Sequence, residues 1–83
     1  METYVYVLKS IGFNKTYTGI TPDIQKRLSE HNSGSNAYTK KFKPWKLIYY
    51  EKYQNLHETK LREKYLKSHA GRNFIKKKLF DKQ

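Results

Sequence analysis

The stretch "KTYTGITPDIQKRLSEHNSG", Lys15–Gly34, changes its hydrophobic period partway along. Its opening, "KTYTGI", is rich in β-branched and aromatic residues and reads as a strand, with Tyr17 and Gly19 on one face and Thr16, Thr18 and Ile20 on the other. Thr21, Pro22 and Asp23 then fit a helix start: an N-cap hydroxyl, a proline whose φ is already helical, and an acid near the positive end of the helix dipole. The helix is expected to reach Asn32, where "NSGSN" stops it. At helical spacing Ile24, Arg27, Leu28 and His31 share one stripe, so a guanidinium and an imidazole lie on the face that packs inward. Either Arg27 snorkels from the edge of the stripe and His31 is a hydrogen-bonded, half-buried histidine, or the pair is half of a site.

Upstream, "TYVYVLKS" alternates, with Tyr4, Tyr6 and Leu8 on one face and Val5 and Val7 on the other, as in a strand packed on both sides. "IGFN" supplies a turn, so residues 3–20 read as a hairpin whose register the sequence leaves open. Downstream, residues 33–45, ending in "AYTKKFKPW", read as a mobile, basic Gly/Ser/Lys loop against which a phosphate backbone can lie. "KLIYYEKY" is a third strand, and Asn55 with Glu58 three residues later is a capping-box variant that opens a second helix. On that helix Leu56, Thr59, Glu63 and Leu66 line one face, while Leu61 and Tyr65 make a second apolar patch. Glu63 interrupts an otherwise apolar face, where a carboxylate needs a partner: an edge pairing with Lys60 or Lys67, or something brought to it. The tail "SHAGRNFIKKKLF" reads as a terminal helix, with Phe74, Ile75 and Leu79 capping the core and Lys76, Lys77 and Lys78 adding charge.

At 83 residues the chain has room for one small domain, residues 1–83. It has no window apolar enough for a membrane span and no secretory leader, so a soluble, cytoplasmic protein with no membrane partner is expected. The absence of cysteine rules out disulfides and thiolate zinc sites, and three scattered histidines make no metal cage of their own. A net charge of +11 attracts polyanions, and eight Tyr, four Phe and one Trp among the lysines suit both phosphates and bases. Nucleic acid is the polyanion this composition fits, although charge and aromatics do not separate binding from cutting. P-loop, GxSxG, heptad and paired-carboxylate patterns are absent.

"YVY" at Tyr4–Tyr6, "YTG" at Tyr17–Gly19, "RL" and "HN" in the first helix, "AYTKKFKPWKLIYYE" at Ala37–Glu51 and "REKYLKS" at Arg62–Ser68 occur in that order. In this ordered set the chain resembles the GIY-YIG nuclease superfamily over its whole length, most closely its small stand-alone members related to the excision-nuclease N-terminal domain. The resemblance implies an α+β fold, a small three-stranded antiparallel sheet flanked by helices in the order ββαβαα. It also implies hydrolysis of phosphodiesters, usually of DNA, with one Mg²⁺ or Mn²⁺ ion. Carried onto matching positions, Glu63 is the metal ligand, Arg27 the phosphate clamp, and Tyr6 and Tyr17 the pair beside the attacking water. His31, one turn from Arg27, has either an orienting or a packing role.

The chemistry suits these residue types. Arg27 offers a planar, always-charged fork to two non-bridging oxygens, which a lysine cannot match. A phenol is a poor base at neutral pH unless cations stabilise its phenolate, and Tyr17 is favoured as the base with Tyr6 positioning the water or acting in its place. The first glycine of the GIY motif is replaced by Tyr4, and Ile20 stands where excision-repair relatives carry a lysine, which removes any mechanism using that lysine as a base unless Lys15 or a loop lysine substitutes. Lys15, Lys40, Lys41 and Lys43 are expected on phosphates, with Tyr38 and Trp45 stacking on bases. Contacts of this kind give weak sequence preference and strong salt dependence. A preference for branched, flapped or damaged DNA would then need a protein partner or the 33–45 loop. The rivals are a non-catalytic nucleic-acid binder on the same fold and a charged interaction module. DNA versus RNA, pathway and oligomeric state stay open.

Overall fold

The computed structural model describes residues 2–81, with side chains described to residue 78. Strand β1 (Thr3–Ser10) is central in an antiparallel sheet of order β2-β1-β3, with β2 (Thr16–Thr21) and β3 (Trp45–Tyr53) on its flanks. Helix α1 (Ile24–Ser33) and one short turn of helix, α2 (Ala37–Lys40), lie between β2 and β3, and α3 (Leu56–Lys67) and α4 (His69–Asp81) follow. The fold class and the ββαβαα order expected above are those observed, with α2 added inside the segment read as a loop. That segment is built rather than loose. Asn36 caps α2 by accepting from the N–H groups of Tyr38 and Thr39, and Asn32 holds both backbone groups of Trp45, donating to its carbonyl at 3.1 Å and accepting from its N–H at 2.6 Å.

The alternation in β1 does divide its side chains between two cores. Val5 and Val7 pack with Leu66 of α3 and Ile75 of α4, while Tyr6 and Leu8 pack with Trp45 beneath Ile24 and Leu28 of α1. Burying a side chain such as Leu66 fully is worth about 1.5–3 kcal/mol, so these two clusters stabilise most of a chain that has no cross-links. Phe74 joins Ile75 against the first core as expected; the side chain of Leu79 lies outside the described residues. A bulge between Val7 and Leu8 pairs Val7 with Tyr49 but Leu8 with Leu47. It shifts β3 by one position, so Leu47 faces α1 while Ile48 and Tyr49 both face α3.

Several local expectations are corrected. Asp23, not Thr21, is the N-cap of α1: its carboxylate accepts from the Lys26 N–H, and Thr21 belongs to the end of β2. A carboxylate makes the better cap here because it adds a charge at the helix N-terminus. Gly34, at φ 91°, closes α1 in the left-handed region that other residues avoid. Leu61 and Tyr65 are exposed, so the second apolar patch of α3 is not core. Asn55 does cap α3, its side chain accepting from the Glu58 N–H. What orients α3 is a polar hub the sequence did not announce. Glu51 on β3 accepts from Arg62 Nε at 2.8 Å, Arg62 Nη2 at 3.0 Å, and the hydroxyls of Tyr53 and Tyr49. Burial would raise the Glu51 carboxyl, but the bonds from Arg62, Tyr49 and Tyr53 together outweigh it and hold it below its ordinary value. Burial, then Glu51, pushes the Tyr49 hydroxyl up to about 12. Arg62 also lies over the rings of Tyr65 and Phe74 at 4.8 and 5.2 Å. Residue 62 is thus locked to the sheet, and the rotation of α3 with it places Glu63.

Candidate active site

The β1–β2 register sets Tyr6 opposite Gly19 and Leu8 opposite Tyr17, so the two tyrosines and the glycine share the α1 face. Tyr6 folds across β2 directly above Gly19, where a Cβ would stand 2.6 Å from the Tyr6 hydroxyl and 2.9 Å from its Cζ. The glycine of "YTG" is therefore a space requirement that lets the buried Tyr6 hydroxyl cross β2 toward His31. The Tyr17 ring lies 6.3 Å from that of Tyr6 and 4.8 Å from that of His31.

His31 is only 1% exposed, and both of its ring nitrogens are engaged. The Thr39 hydroxyl lies 2.8 Å from His31 Nδ1 and 3.5 Å from the Asn36 carbonyl. The Tyr6 hydroxyl lies 3.0 Å from Nε2, so a neutral ring donates from one nitrogen and accepts at the other. Burial, then the positive charge of Arg27, lowers the His31 imidazole below its ordinary range, with Glu30 opposing, so the ring is neutral as this network requires. Burial likewise pushes the Tyr6 hydroxyl up. Arg27 pulls the other way, but Tyr17 and the charge of Glu63 add to the rise.

Arg27 reaches this hydroxyl from the helix stripe. The Tyr6 hydroxyl, then Glu30, hold its guanidinium above its ordinary value against burial. Nη1 donates to Glu30 at 3.0 Å, whereas Nε is buried and is, among the described residues, the one buried side-chain nitrogen or oxygen without a partner. Glu63 approaches from α3 on the same turn-by-turn row as buried Thr59 and Leu66. It is 24% exposed and pairs with Lys67 at 3.2 Å, the partner anticipated for an edge glutamate, while its charge is still felt at Tyr6. Tyr6, Tyr17, Arg27 and His31 thus meet at the β2 edge, with Glu63 at its flank.

The basic residues divide. Lys15, Lys40, Lys41 and Lys43 are exposed, and Lys15 Nζ stands 5.5 Å above the Phe42 ring. Tyr38 is 48% exposed and its ring is 6.4 Å from that of Tyr17. Trp45, expected to stack on bases, cannot: it is 2% exposed and its Nε1–H donates to the Thr39 carbonyl at 2.8 Å. The bulk of an indole at the start of β3 fills the core beneath α1 instead. A groove of about 580 Å³ beside the site is lined by Lys9, Lys15, Tyr17, Tyr38, Lys67 and Arg72 among others. Thr39, which bonds His31 Nδ1, escaped the sequence reading. Its signal was present, since Asn36 stands three residues ahead of it as a helix cap, the same logic that found Asn55.

The geometry has counterparts among known proteins. Residues 2–78 match the GIY-YIG catalytic domain family. A UPF0213 protein of Clostridium perfringens is 43% identical over 65 residues, covering 77% of this chain and 69% of that protein. A UPF0213 protein of Staphylococcus haemolyticus is 35% identical over 74 residues, covering 88% and 89%. The solution NMR structure of a UPF0213 protein from Bacillus halodurans is 29% identical, with a TM-score of 0.55 over 90% of this chain and 82% of that one. With the domain match spanning nearly all of it, and with relatives that are themselves small, this chain belongs to the GIY-YIG family.

Proposed function

We propose that the protein is a cytoplasmic endonuclease that hydrolyses phosphodiester bonds in DNA with little intrinsic sequence preference, in repair or recombination. The observation that carries this reading is the part-exposed Arg27 guanidinium, which stands with Tyr6, Tyr17 and His31 at one site. Arg27 is 42% exposed at its side chain and one of its terminal nitrogens, Nη1, bonds Glu30, so further donors of its fork stay open to the non-bridging oxygens of a phosphate, in the geometry a guanidinium fits. Glu63 is the residue that would hold a divalent ion, Mg²⁺ or Mn²⁺. The described residues contain no cluster of three or more His, Cys, Asp or Glu, so the donor set is one partly exposed carboxylate. That set fits Mg²⁺, which commonly binds one or two carboxylates and completes its shell with water and substrate phosphate. When bound, such an ion neutralises charge developing on the leaving oxygen.

The tyrosines have different parts to play. Tyr6 is buried, raised in pKa and hydrogen-bonded to His31, so it keeps its proton and serves to position the water and the phosphate. His31, neutral and pinned by Thr39, holds Tyr6 in place. Tyr17, half-buried at the groove, is left as the base that takes the proton of the attacking water. Arg27 stabilises charge on the non-bridging oxygens.

The test is cleavage of labelled single-stranded, duplex and branched DNA with Mg²⁺ or Mn²⁺, comparing the wild type with Glu63→Gln. Cutting that disappears in the variant while DNA binding persists supports the reading. Absence of cutting by either protein, with tight salt-sensitive binding, would replace it with a non-catalytic nucleic-acid binder.

A further inference from the structure

Four aromatic rings run in file away from the candidate site. From Tyr17 the next ring is Tyr38 at 6.4 Å, then Phe42 at 5.4 Å, then Phe13 at 5.3 Å on the β1–β2 turn. The two rings that project furthest are Phe13, 51% exposed, and Tyr38, 48% exposed. An exposed phenylalanine on a tight turn is ordinarily a loose one, but this one is anchored. Ser10, 1% exposed, accepts from the Phe13 N–H at 3.0 Å and donates to the Phe42 carbonyl at 2.7 Å, so one buried hydroxyl ties the segments that bear both phenylalanines. Lys9 Nζ donates to the Phe13 carbonyl at 2.9 Å, and the Ile11 N–H donates to the Pro44 carbonyl at 3.0 Å. The backbone that bears the two phenylalanines is therefore fixed, and the Phe13 ring rests edge-on against Phe42 at an interplanar angle of 78°, which lowers the ordering cost of an occupant.

The charge around the file has one sign. Residues 31–50 contain Lys40, Lys41, Lys43 and Lys46 and no acidic residue, and Lys15 stands over Phe42. Fixed aromatic faces bordered only by cations suit a chain that presents π-faces and phosphates alternately, which is an unpaired nucleic-acid strand; a duplex hides its base faces in the stack. An apolar protein partner would need no lysine fringe, and an acidic one no row of rings. We propose that Phe13, Phe42, Tyr38 and Tyr17 form a stacking platform for unpaired DNA leading to the scissile phosphate at Arg27. The protein then prefers single-stranded or flapped segments without a specificity partner. This rests on the nuclease reading for its direction but not for its test.

Binding is measured in EDTA, where no cutting occurs, by anisotropy of a labelled thymidine oligonucleotide, an abasic strand with the same number of phosphates, and a duplex. The wild type is expected to bind the thymidine strand most tightly. Phe13→Ala and Tyr38→Ala should each weaken that complex about five- to hundredfold and leave the abasic strand unaffected. Phe13→Tyr should restore wild-type binding where Phe13→Leu does not, a contrast that loss of folding cannot mimic. Equal affinity of the wild type for duplex and thymidine strand, or ring variants that weaken all three probes by the same factor, would overturn the platform. Failure of the nuclease reading appears separately, as absence of metal-dependent cutting with this binding pattern intact.

Discussion

Gly19→Ala tests the link between the "YTG" motif and the site most directly. The new methyl would stand 2.6 Å from the Tyr6 hydroxyl, 2.9 Å from its Cζ and 3.1 Å from Tyr17 Cε2, where ordinary contact begins at 3.4 Å. The hydroxyl must withdraw by about 0.8 Å, enough to break its 3.0 Å bond to His31 in a core that has little slack. Overpacking costs about 1–3 kcal/mol and an unpaired buried His31 Nε2 about 1–3 more, less about 0.5–1 kcal/mol that alanine returns through unfolded-chain entropy. The net loss is about 3 kcal/mol, against a total stability of about 4–12 kcal/mol for 83 residues. Thermal unfolding followed by circular dichroism should fall by about 12–24 °C. The His31 ring resonances should shift as the Tyr6 bond is lost, and cleavage, where measured, should drop about a hundredfold for a displacement near 1 Å. A melting temperature within about 2 °C of wild type, together with unshifted His31 resonances, would show that Tyr6 does not occupy the space above Gly19.

Two further predictions concern the scaffold. Glu51→Gln leaves Arg62 and two hydroxyls short of an anionic partner; because both ion-pair members retain some exposure, the loss is discounted to about 2 kcal/mol, readable by urea unfolding at neutral pH. The folded Glu51 carboxyl is depressed, so its contribution is present above the unfolded carboxylate pKa and is lost as pH falls through the folded value; the variant should show a shallower loss of stability in acid than the wild type. At Gly71 a Cβ would meet the Tyr65 carbonyl oxygen at 2.1 Å and Leu66 Cα at 2.4 Å, both backbone, so Gly71→Ala should force α4 off α3 and cost about 3 kcal/mol or more. Gly12→Ala, with nothing within 4 Å, should stay within about 0.5 kcal/mol of wild type, and a Gly71 variant that matched it would contradict the observed α3–α4 packing.

What the sequence determined by itself was whatever is set locally. The alternation of "TYVYVLKS" declared a strand buried on both faces, the stripe of Ile24, Arg27, Leu28 and His31 declared that a cation and an imidazole point inward together, and Asn55 marked the start of α3. These follow from side-chain period and cap chemistry within a few residues, and they sufficed to place Tyr6, Tyr17, Arg27, His31 and Glu63 on elements that could converge. Convergence itself is a long-range matter. Register pairs Tyr6 with Gly19, the bulge at Val7/Leu8 turns Ile48 and Tyr49 toward α3, and the Glu51–Arg62 lock rotates α3 so that Glu63 approaches the β2 edge. The same long-range packing buries Trp45, which looks from its basic neighbours like a surface ring, and leaves Phe13 exposed but anchored through Ser10. Residue type and spacing name the groups a site can use. Which of them face one another is decided by contacts between positions far apart in the chain, and local propensity carries no record of those.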